Sequence, residues 1–127
     1  MDRGSKLVFR TAAVVNWLVA IGGFLSPDLI ASFAKITPVN YPFLVRIWTG
    51  MVLMFGAMFW EISNDFVKKR SLIKYAWIEK SVTAFSVTLG FASSNVPISL
   101  FMLILFTDYI WIPIFIHFQR KAKRLAC

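Results

Sequence analysis

The stretch that decides the fold is PISLFMLILFTDYIWIPIFIHF, residues 97–118, in which Asp108 is the only Asp, Glu, Lys or Arg. A helix rises about 1.5 Å per residue, so about 20 apolar residues cross the hydrocarbon core of a bilayer. Three further runs of similar length and character lie at about 7–25, 43–62 and 72–92. The sequence therefore predicts an all-α integral membrane four-helix bundle, formed by residues 1–127 as a single domain.

The composition agrees with a bilayer as the solvent. Of 127 residues, 58% are hydrophobic and 16% are charged, whereas soluble domains have about 45–50% and about 25%. The net charge of +8 would suggest nucleic acid in a soluble protein. Here, however, the basic residues form short clusters beside the apolar runs, and no RNA-binding signature is present. We therefore expect anionic lipid headgroups as partners and no nucleic acid.

The connection between the first two spans contains a segment too short to cross a membrane. Ser26 suits an N-cap and Pro27 suits the first helical position, which predicts a short helix at about 28–36. We expect this helix to lie in the interface plane and to end before Pro38. A tight turn at 93–96 then precedes the last span.

The distribution of Lys and Arg predicts the orientation. Basic residues gather at the N-terminus, in the connection 63–71 and after residue 118, and four crossings place all three regions on one side. The positive-inside rule then puts both termini in the cytoplasm, with the chain in the inner membrane. Arg46 falls on the outer side, where we expect it to anchor to headgroups or to contact a partner. The residues expected to bind headgroups on the inner side are Lys68, Lys69, Arg70, Arg120, Lys121, Lys123 and Arg124.

Small and polar residues indicate which helix faces point inward, because helices in lipid associate through close packing and hydrogen bonds. We expect Ile78, Val82, Phe85 and Leu89 of the third span to face lipid. The predicted inward faces are Ala12, Ala13, Asn16, Ala20 and Gly23 in the first span; Arg46, Gly50, Leu53, Ala57 and Trp60 or Glu61 in the second; and Ala76, Glu79, Lys80, Thr83, Ser86 and Gly90 in the third.

Four polar residues are expected at similar depth: Asn16, Glu79, Lys80 and Asp108. Charges inside a membrane usually face the bundle interior and pair, so we predict that these four form a cluster in which Lys80 pairs with one carboxylate. The other carboxylate then needs either a second partner or a bound proton. Pro113 cannot bond to the carbonyl four residues earlier, which predicts a kink beside Asp108 with space for water or a ligand. The cluster either fixes helix register or serves as a proton, ion or ligand site.

Enzyme motifs are missing from the sequence. It contains no Gly-rich phosphate loop, no nucleophile elbow and no Ser/His/acid set. His117 is the single histidine and Cys127 the single cysteine, which excludes a bis-His haem site and an intrachain disulfide. We therefore predict no catalytic residue, no metal site and no cofactor.

Dispersed residues also resemble a known group. They are the segment Arg46-Ile-Trp-Thr-Gly50, Gly56, the basic second connection, the pair Glu79-Lys80, and Asp108 with the following Trp-Ile-Pro. In these positions the chain resembles small bacterial four-helix membrane proteins of the DoxX-like and BphX-like kind. The resemblance implies a four-helix membrane fold and an accessory role beside oxidoreductase or aromatic-degradation systems, and it transfers no catalytic residue.

Three functional hypotheses follow. The leading one is a noncatalytic membrane subunit that packs in and stabilises a larger membrane complex, such as an oxidoreductase, or that forms a homo-oligomer. The second is a small transporter, channel or ligand-binding bundle that uses the intramembrane Glu79, Lys80 and Asp108. The third is a lipid or quinone enzyme, which needs a pocket open to the bilayer near the same residues.

Overall fold

A computed structural model describes residues 3–37 and 42–127 of the chain. These residues are helical with short connections and contain no strand, which confirms the all-α class. The helices are α1 (Arg3–Leu25), α2 (Pro27–Ala34), α3 (Pro42–Asn64), α4 (Arg70–Ala92), α5 (Ile98–Ile104) and α6 (Trp111–Leu125), with a π-helical turn (Leu105–Tyr109) between the last two. The short helix predicted at about 28–36 is α2, which ends at Ala34 and so before Pro38; Pro38 itself lies outside the described residues.

The chain has the character of a multi-pass membrane protein. Among the described helical segments, α1, α3 and the continuous segment Ile98–Leu125 are long and apolar enough to cross a membrane. Only 17–33% of the most apolar window of each is buried inside the protein, so most of their apolar surface faces outward. Helix α4 has 23 residues, the same length as α1 and α3, but Glu79, Lys80 and several Ser and Thr residues make it more polar.

Helices α1 and α3 pack antiparallel along most of their length. The Trp17 indole N–H donates to the carbonyl of Leu53 (3.3 Å), and the Arg10 guanidinium lies 4.7 Å from the centre of the Trp60 ring. Gly56 allows this close approach, because a Cβ atom there would lie 2.5 Å from two atoms of the Trp17 ring. Later residues of α1 contact earlier residues of α3, so the two helices run in opposite directions.

Helix α4 pairs in the same way with the segment that follows it. The Trp77 indole N–H donates to Gln119 Oε1 (2.9 Å), while the Phe91 and Phe101 rings stack at the opposite end with centroids 4.8 Å apart. The two antiparallel pairs meet through Phe66, whose ring is 6.3 Å from that of Phe118. The start of α1, the connection 65–69 and the end of α6 therefore share one end of the bundle, which we call the basic end.

The core at the basic end is aromatic. Phe9, Phe59 and Phe115 are fully buried, with ring centroids 5.3 Å apart for Phe9 and Phe115 and 5.2 Å apart for Phe59 and Phe115. Ile62 and Ile73 are also fully buried in this cluster. The half of the bundle near the basic end is thus filled with side chains.

The predicted inward face is right for α1 and wrong for α3. All five residues predicted for α1 are buried. In α3 the buried residues are Thr49, Val52, Gly56, Phe59, Ile62 and Ser63, which is a rotation of about one residue from the predicted set. The prediction placed Gly50 and Leu53 inside, but Leu53 is 43% exposed, because the large Phe59 and Ile62 take the core positions.

On α4 the lipid-facing assignment agrees with the structure and one inward assignment does not. Ile78, Val82, Phe85 and Leu89 are exposed, as predicted. Ser86 is exposed, although it was predicted to face inward, and its hydroxyl bonds back to the carbonyl of Val82 (2.8 Å). A hydroxyl that bonds to its own helix satisfies itself and needs no partner inside the bundle.

Candidate functional site: an ion cluster and an apolar cavity

Lys80 lies at the centre of a buried polar cluster. Its ammonium donates to Asn16 Oδ1 on α1 (2.9 Å), and lies 3.4 Å from Asp108 Oδ1 and 3.5 Å from Glu79 Oε2. The structure thus brings together the four residues Asn16, Glu79, Lys80 and Asp108, which we call the ion cluster. These residues come from α1, α4 and the π-helical turn, and so they link the two antiparallel pairs.

Most polar atoms of the ion cluster have a partner. The Lys80 ammonium donates a hydrogen bond to Asn16 and forms ion pairs with Asp108 and Glu79. The Thr107 hydroxyl donates to Asp108 Oδ2 (2.7 Å), and the Asn16 amide N–H donates to the carbonyl of Val52 (3.4 Å). The cluster is therefore held from several helices.

Glu79 is the exception within the ion cluster. Its Oε2 atom is buried and has no hydrogen-bond partner among the described residues, although it lies 3.5 Å from Lys80 Nζ. Its side chain is 11% exposed and faces the cavity described below. A buried carboxylate oxygen without a donor costs free energy, so it marks a place where a donor would stabilise the site.

Asp108 is placed by irregular backbone. It lies in the π-helical turn, where the N–H of Ile110 bonds to the carbonyl of Leu105 (3.3 Å), five residues earlier. Single π-helical turns inside α-helices frequently occur at functional sites. Pro113 is exposed and is the third residue of α6. The irregular backbone thus lies just before Pro113, and the kink assigned to Pro113 stays a prediction.

A cavity of about 360 Å³ extends from the ion cluster away from the basic end. Its floor includes the ion cluster with Thr83 and Thr107, and its walls are apolar. The wall residues are Val15, Leu18, Val19, Gly22, Leu29, Ile30, Phe33, Trp48, Val52, Leu100, Leu103 and Ile104. Ligand pockets of about 300–1,000 Å³ commonly combine an apolar lining with a few polar groups that orient the ligand.

The rim of the cavity reaches the outer surface of the bundle beside α1 and α2. Leu18, Leu29 and Phe33 line the cavity and are 69%, 51% and 75% exposed. Helix α2 lies over this half of the bundle, where the Ser99 hydroxyl on α5 bonds to the carbonyl of Ala34. The cavity is therefore bounded by α2 and by the apolar sides of α1 and α5.

The other predicted site residues lie away from the cavity. Arg46 is exposed, and its Nε–H donates to the carbonyl of Phe24 (3.2 Å) near the end of α1, where a cation complements the helix dipole. The predicted headgroup-binding residues gather at the basic end: Lys68, Lys69, Arg70, Arg120, Lys123 and Arg124 are exposed, and Lys121 is partly buried with its ammonium 5.8 Å from the Phe118 ring centre.

Two of these lysines form exposed ion pairs in the connection between α3 and α4. Lys68 pairs with Asp65 (3.7 Å) and Lys69 pairs with Glu61 (3.4 Å). The backbone N–H of Lys68 also donates to Asp65 Oδ1 (3.1 Å), and this hydrogen bond, with the nearby Lys68 charge, lowers the pKa of the Asp65 carboxyl below its usual 3.8.

Comparison with known proteins identifies no relative. No protein-family model, curated protein or solved structure matches the chain. The resemblance to DoxX-like and BphX-like proteins therefore stays a prediction. Within the described parts of the chain, no group of three or more His, Cys, Asp and Glu side chains could hold a metal ion.

Sequence reasoning missed two parts of the site. Thr107 bonds to Asp108, and its position beside the only acidic residue of the last span was a signal that could have identified it. The cavity had no such signal, because residues such as Leu100 and Leu103 read as ordinary lipid or core positions. Their distance from α1 depends on how the two antiparallel pairs meet.

Proposed function

We propose that the chain crosses the inner membrane four times, with α4 as the third span and both termini in the cytoplasm. The antiparallel pairing of α1 with α3, and of α4 with the last segment, supports this topology. So does the grouping of the basic residues at one end, in line with the positive-inside rule. The exposed apolar row Ile78, Val82, Phe85 and Leu89 gives α4 a face suited to lipid or to a neighbouring helix.

We further propose that this protein binds a small amphipathic molecule within the membrane. The observation that carries the proposal is the cavity of about 360 Å³, with apolar walls and the ion cluster at its floor. Apolar walls bind the body of a ligand, and a few convergent polar groups fix its orientation. A polar cluster that served only to fix helix register would need no adjoining cavity.

The position of the rim agrees with entry from the bilayer. Leu18, Leu29 and Phe33 present apolar surface both to the cavity and to the outside of the bundle. A molecule that partitions into the bilayer can therefore reach the cavity without crossing a polar surface. This geometry favours binding or transport of a lipid-soluble solute, the second of the three functional hypotheses.

The proposal is tested with two glycine variants that differ in which surface they fill. Gly22 lines the cavity, and a Cβ atom there would meet only Leu29 Cδ2, at the ordinary distance of 3.6 Å. Gly22→Leu should therefore fill the cavity without distorting the backbone. Gly50→Leu is the control, because a Cβ atom there meets no described atom within 4 Å apart from its chain neighbours and the backbone of its own helix, and Gly50 lies outside the cavity.

The measurement is native mass spectrometry of the protein extracted in gentle detergent from its own membrane. We expect a retained small molecule on the unmodified protein and on Gly50→Leu, and its loss from Gly22→Leu. Retention by Gly22→Leu at the level of the control would contradict binding in the cavity, as would the lack of any retained molecule in all three proteins.

A second candidate function is the noncatalytic membrane subunit. The observation that favours it is the apolar row on α4, which Tyr75 extends at 47% exposure and which suits packing against another transmembrane helix. The same native spectra test it, since stoichiometric co-purification of other subunits supports this role and a lone monomer contradicts it. Lipid or quinone chemistry at the ion cluster stays a prediction: the cavity offers the pocket that it requires, but the geometry singles out no catalytic residue.

A further inference from the structure

We propose that the ligand of the cavity is a lipophilic amine, whose ammonium group binds the Glu79 carboxylate. This inference rests on the proposed function and specifies the chemical class of the ligand. Its basis is the difference between the carboxylates of the ion cluster. Asp108 accepts a hydrogen bond from Thr107 in addition to its contact with Lys80, whereas Glu79 has only the contact with Lys80 among the described residues.

The charges of the ion cluster do not balance when both of its carboxyl groups are ionised. It contains two carboxyl groups, on Glu79 and Asp108, and one ammonium group, on Lys80. Charged groups in the membrane interior are costly unless they pair with an opposite charge. A ligand that brings one positive charge makes the cluster neutral, whereas an anionic ligand adds to the excess of negative charge.

The donors and acceptors agree with the charge count. The Lys80 ammonium already faces Asn16, Glu79 and Asp108, so an anionic ligand would have to displace one of them. Asp108 is held by Lys80 and by the Thr107 hydroxyl. Glu79 Oε2, in contrast, is buried without a hydrogen bond from any described residue. Glu79 lines the cavity with a side chain that is 11% exposed, so an ammonium group in the cavity can supply a donor to its carboxylate.

The cavity also suits the body of such a ligand. Leu100, Leu103 and Ile104 on one side and Val15 and Val19 on the other form apolar walls that adjoin the floor. Trp48 also lines the cavity, and an aromatic ring can attract a cation that passes near its face. A volume of about 360 Å³ accommodates a bicyclic aromatic body with a short amine-bearing chain.

The test compares three probes of similar skeleton that differ in the charge of the polar group: naphthylethylamine, naphthylethanol and naphthylacetic acid. Their affinities are measured on the full chain in lipid nanodiscs, with empty nanodiscs subtracted. We expect the amine to bind at least about tenfold more tightly than the alcohol, since it adds an ion pair in a region of low dielectric. The acid should bind most weakly.

Glu79→Gln, which removes the charge and keeps the shape, should bring the amine-to-alcohol ratio close to one. Glu79→Asp keeps the charge and should retain part of the preference, which separates the charge effect from a general loss of structure. Glu61→Gln is the matched control: Glu61 is exposed and pairs with Lys69 outside the cavity, so its loss should leave the ratio unchanged.

The outcomes separate this inference from the proposed function. Tightest binding of the acid, equal binding of all three probes, or a preference for the amine that survives Glu79→Gln would each overturn the inference. Each of these results would still leave a ligand-binding cavity, provided that Gly22→Leu abolishes the binding. If no probe binds to the unmodified chain, the inference is overturned. The proposed function would still hold in that case if native mass spectrometry finds a retained molecule that Gly22→Leu eliminates.

Discussion

Lys80 Nζ lies 3.4 Å from Asp108 Oδ1, and both side chains are more than nine-tenths buried. The two residues belong to different helical segments, so this contact joins α4 to the π-helical turn at the floor of the cavity. Because the ammonium also bonds to Asn16, it ties α1 to the same point. A single side chain thus links both antiparallel pairs in the middle of the bundle.

Replacement of Lys80 by methionine should strongly destabilise the protein. Loss of one partner from a buried ion pair typically costs about 3–5 kcal/mol, because the other charge is left uncompensated. In Lys80→Met both Glu79 and Asp108 lose the ammonium, so we expect a loss of this size in the free energy of unfolding, measured in detergent micelles.

Two further variants test this explanation of Lys80→Met: a control at an exposed lysine and a second substitution that should restore stability. Lys69→Met removes an exposed pair with Glu61, which should cost less than about 1 kcal/mol. Asp108→Asn added to Lys80→Met should restore part of the lost stability, because it removes a carboxylate that has lost its partner. Equal costs for Lys69→Met and Lys80→Met would contradict a central role of the buried ammonium.

Substitution of Gly56 should disrupt the packing of α1 on α3. The Cβ atom of an alanine there would lie 2.5 Å from atoms of the Trp17 ring and 3.3 Å from the carbonyl oxygen of Ala13. Overpacking of this kind typically costs about 1–3 kcal/mol. Gly50→Ala is the matched control and should be neutral or stabilise the helix by about 0.5–1 kcal/mol. Chemical unfolding of the two variants side by side measures the difference, and equal stabilities would show that Trp17 moves freely.

The four-span topology makes a prediction for Cys127, the single cysteine of the chain. If α4 crosses the membrane, Cys127 and the connection between α3 and α4 lie on the same, cytoplasmic side. If α4 does not cross, the three other spans place them on opposite sides. Cys127 is exposed, and Lys68, whose side chain is 84% exposed, provides a second position when Lys68→Cys is combined with Cys127→Ser.

The measurement is labelling by a membrane-impermeant maleimide in intact and permeabilised cells. We expect both cysteines to react only after permeabilisation. Labelling of one of them in intact cells would contradict four spans. Labelling of both would indicate the opposite orientation, with both positions outside the cytoplasm.

The connection between α3 and α4 should lose stability in acid. The hydrogen bond from the Lys68 N–H holds the pKa of Asp65 below 3.8, so the folded state favours the ionised carboxyl. The stabilisation is present at a pH above the unfolded value of about 3.9 and is lost as the pH falls through the lower folded value.

Asp65→Asn should therefore be less stable than the unmodified protein at pH 7, and the difference should narrow towards pH 3. The exposure of Asp65 makes the effect small. Unfolding curves at the two pH values measure it, and a difference that does not change with pH would show that ionisation of Asp65 plays no part.

The sequence predicted the elements well because the bilayer imposes a length and a composition on each span. The turn predicted at 93–96 lies between α4 and α5, and the connection predicted at 63–71 is shorter, with only residues 65–69 between α3 and α4. The last helix extends to Leu125, beyond the predicted end at residue 118, because the basic residues of the tail continue the helix once it has left the apolar region. Hydropathy locates the apolar part of a helix and not its end.

The prediction was weaker where two helices meet. On α1, small residues identified the buried face, since alanine and glycine were the residues that allow close approach. On α3, Gly50 carried the same signal, yet it lies about 120° around the helix from Gly56 and is only half-buried, and the bulky Phe59 determines which face is inward. Composition alone does not distinguish a glycine that admits a neighbouring helix from one that faces outward.

The ion cluster was predictable from depth and charge, whereas its asymmetry was not. Glu79 and Asp108 are equivalent in sequence terms, as acidic residues inside apolar runs. The distinction between them depends on Thr107, on the π-helical turn and on the direction of the Lys80 side chain, and these become visible only when the helices are assembled.

The aromatic core at the basic end has a consequence for any solute that enters the opposite half. Phe59 lies directly beneath the ion cluster, with the Lys80 ammonium 5.7 Å from its ring centre, and Phe9 and Phe115 close the space below it. In this conformation the rings lie between the ion cluster and the basic end and block the way from the cavity to that end. Net movement across the bilayer would require them to part while the outer rim closes, so transport by this protein would follow alternating access rather than free conduction.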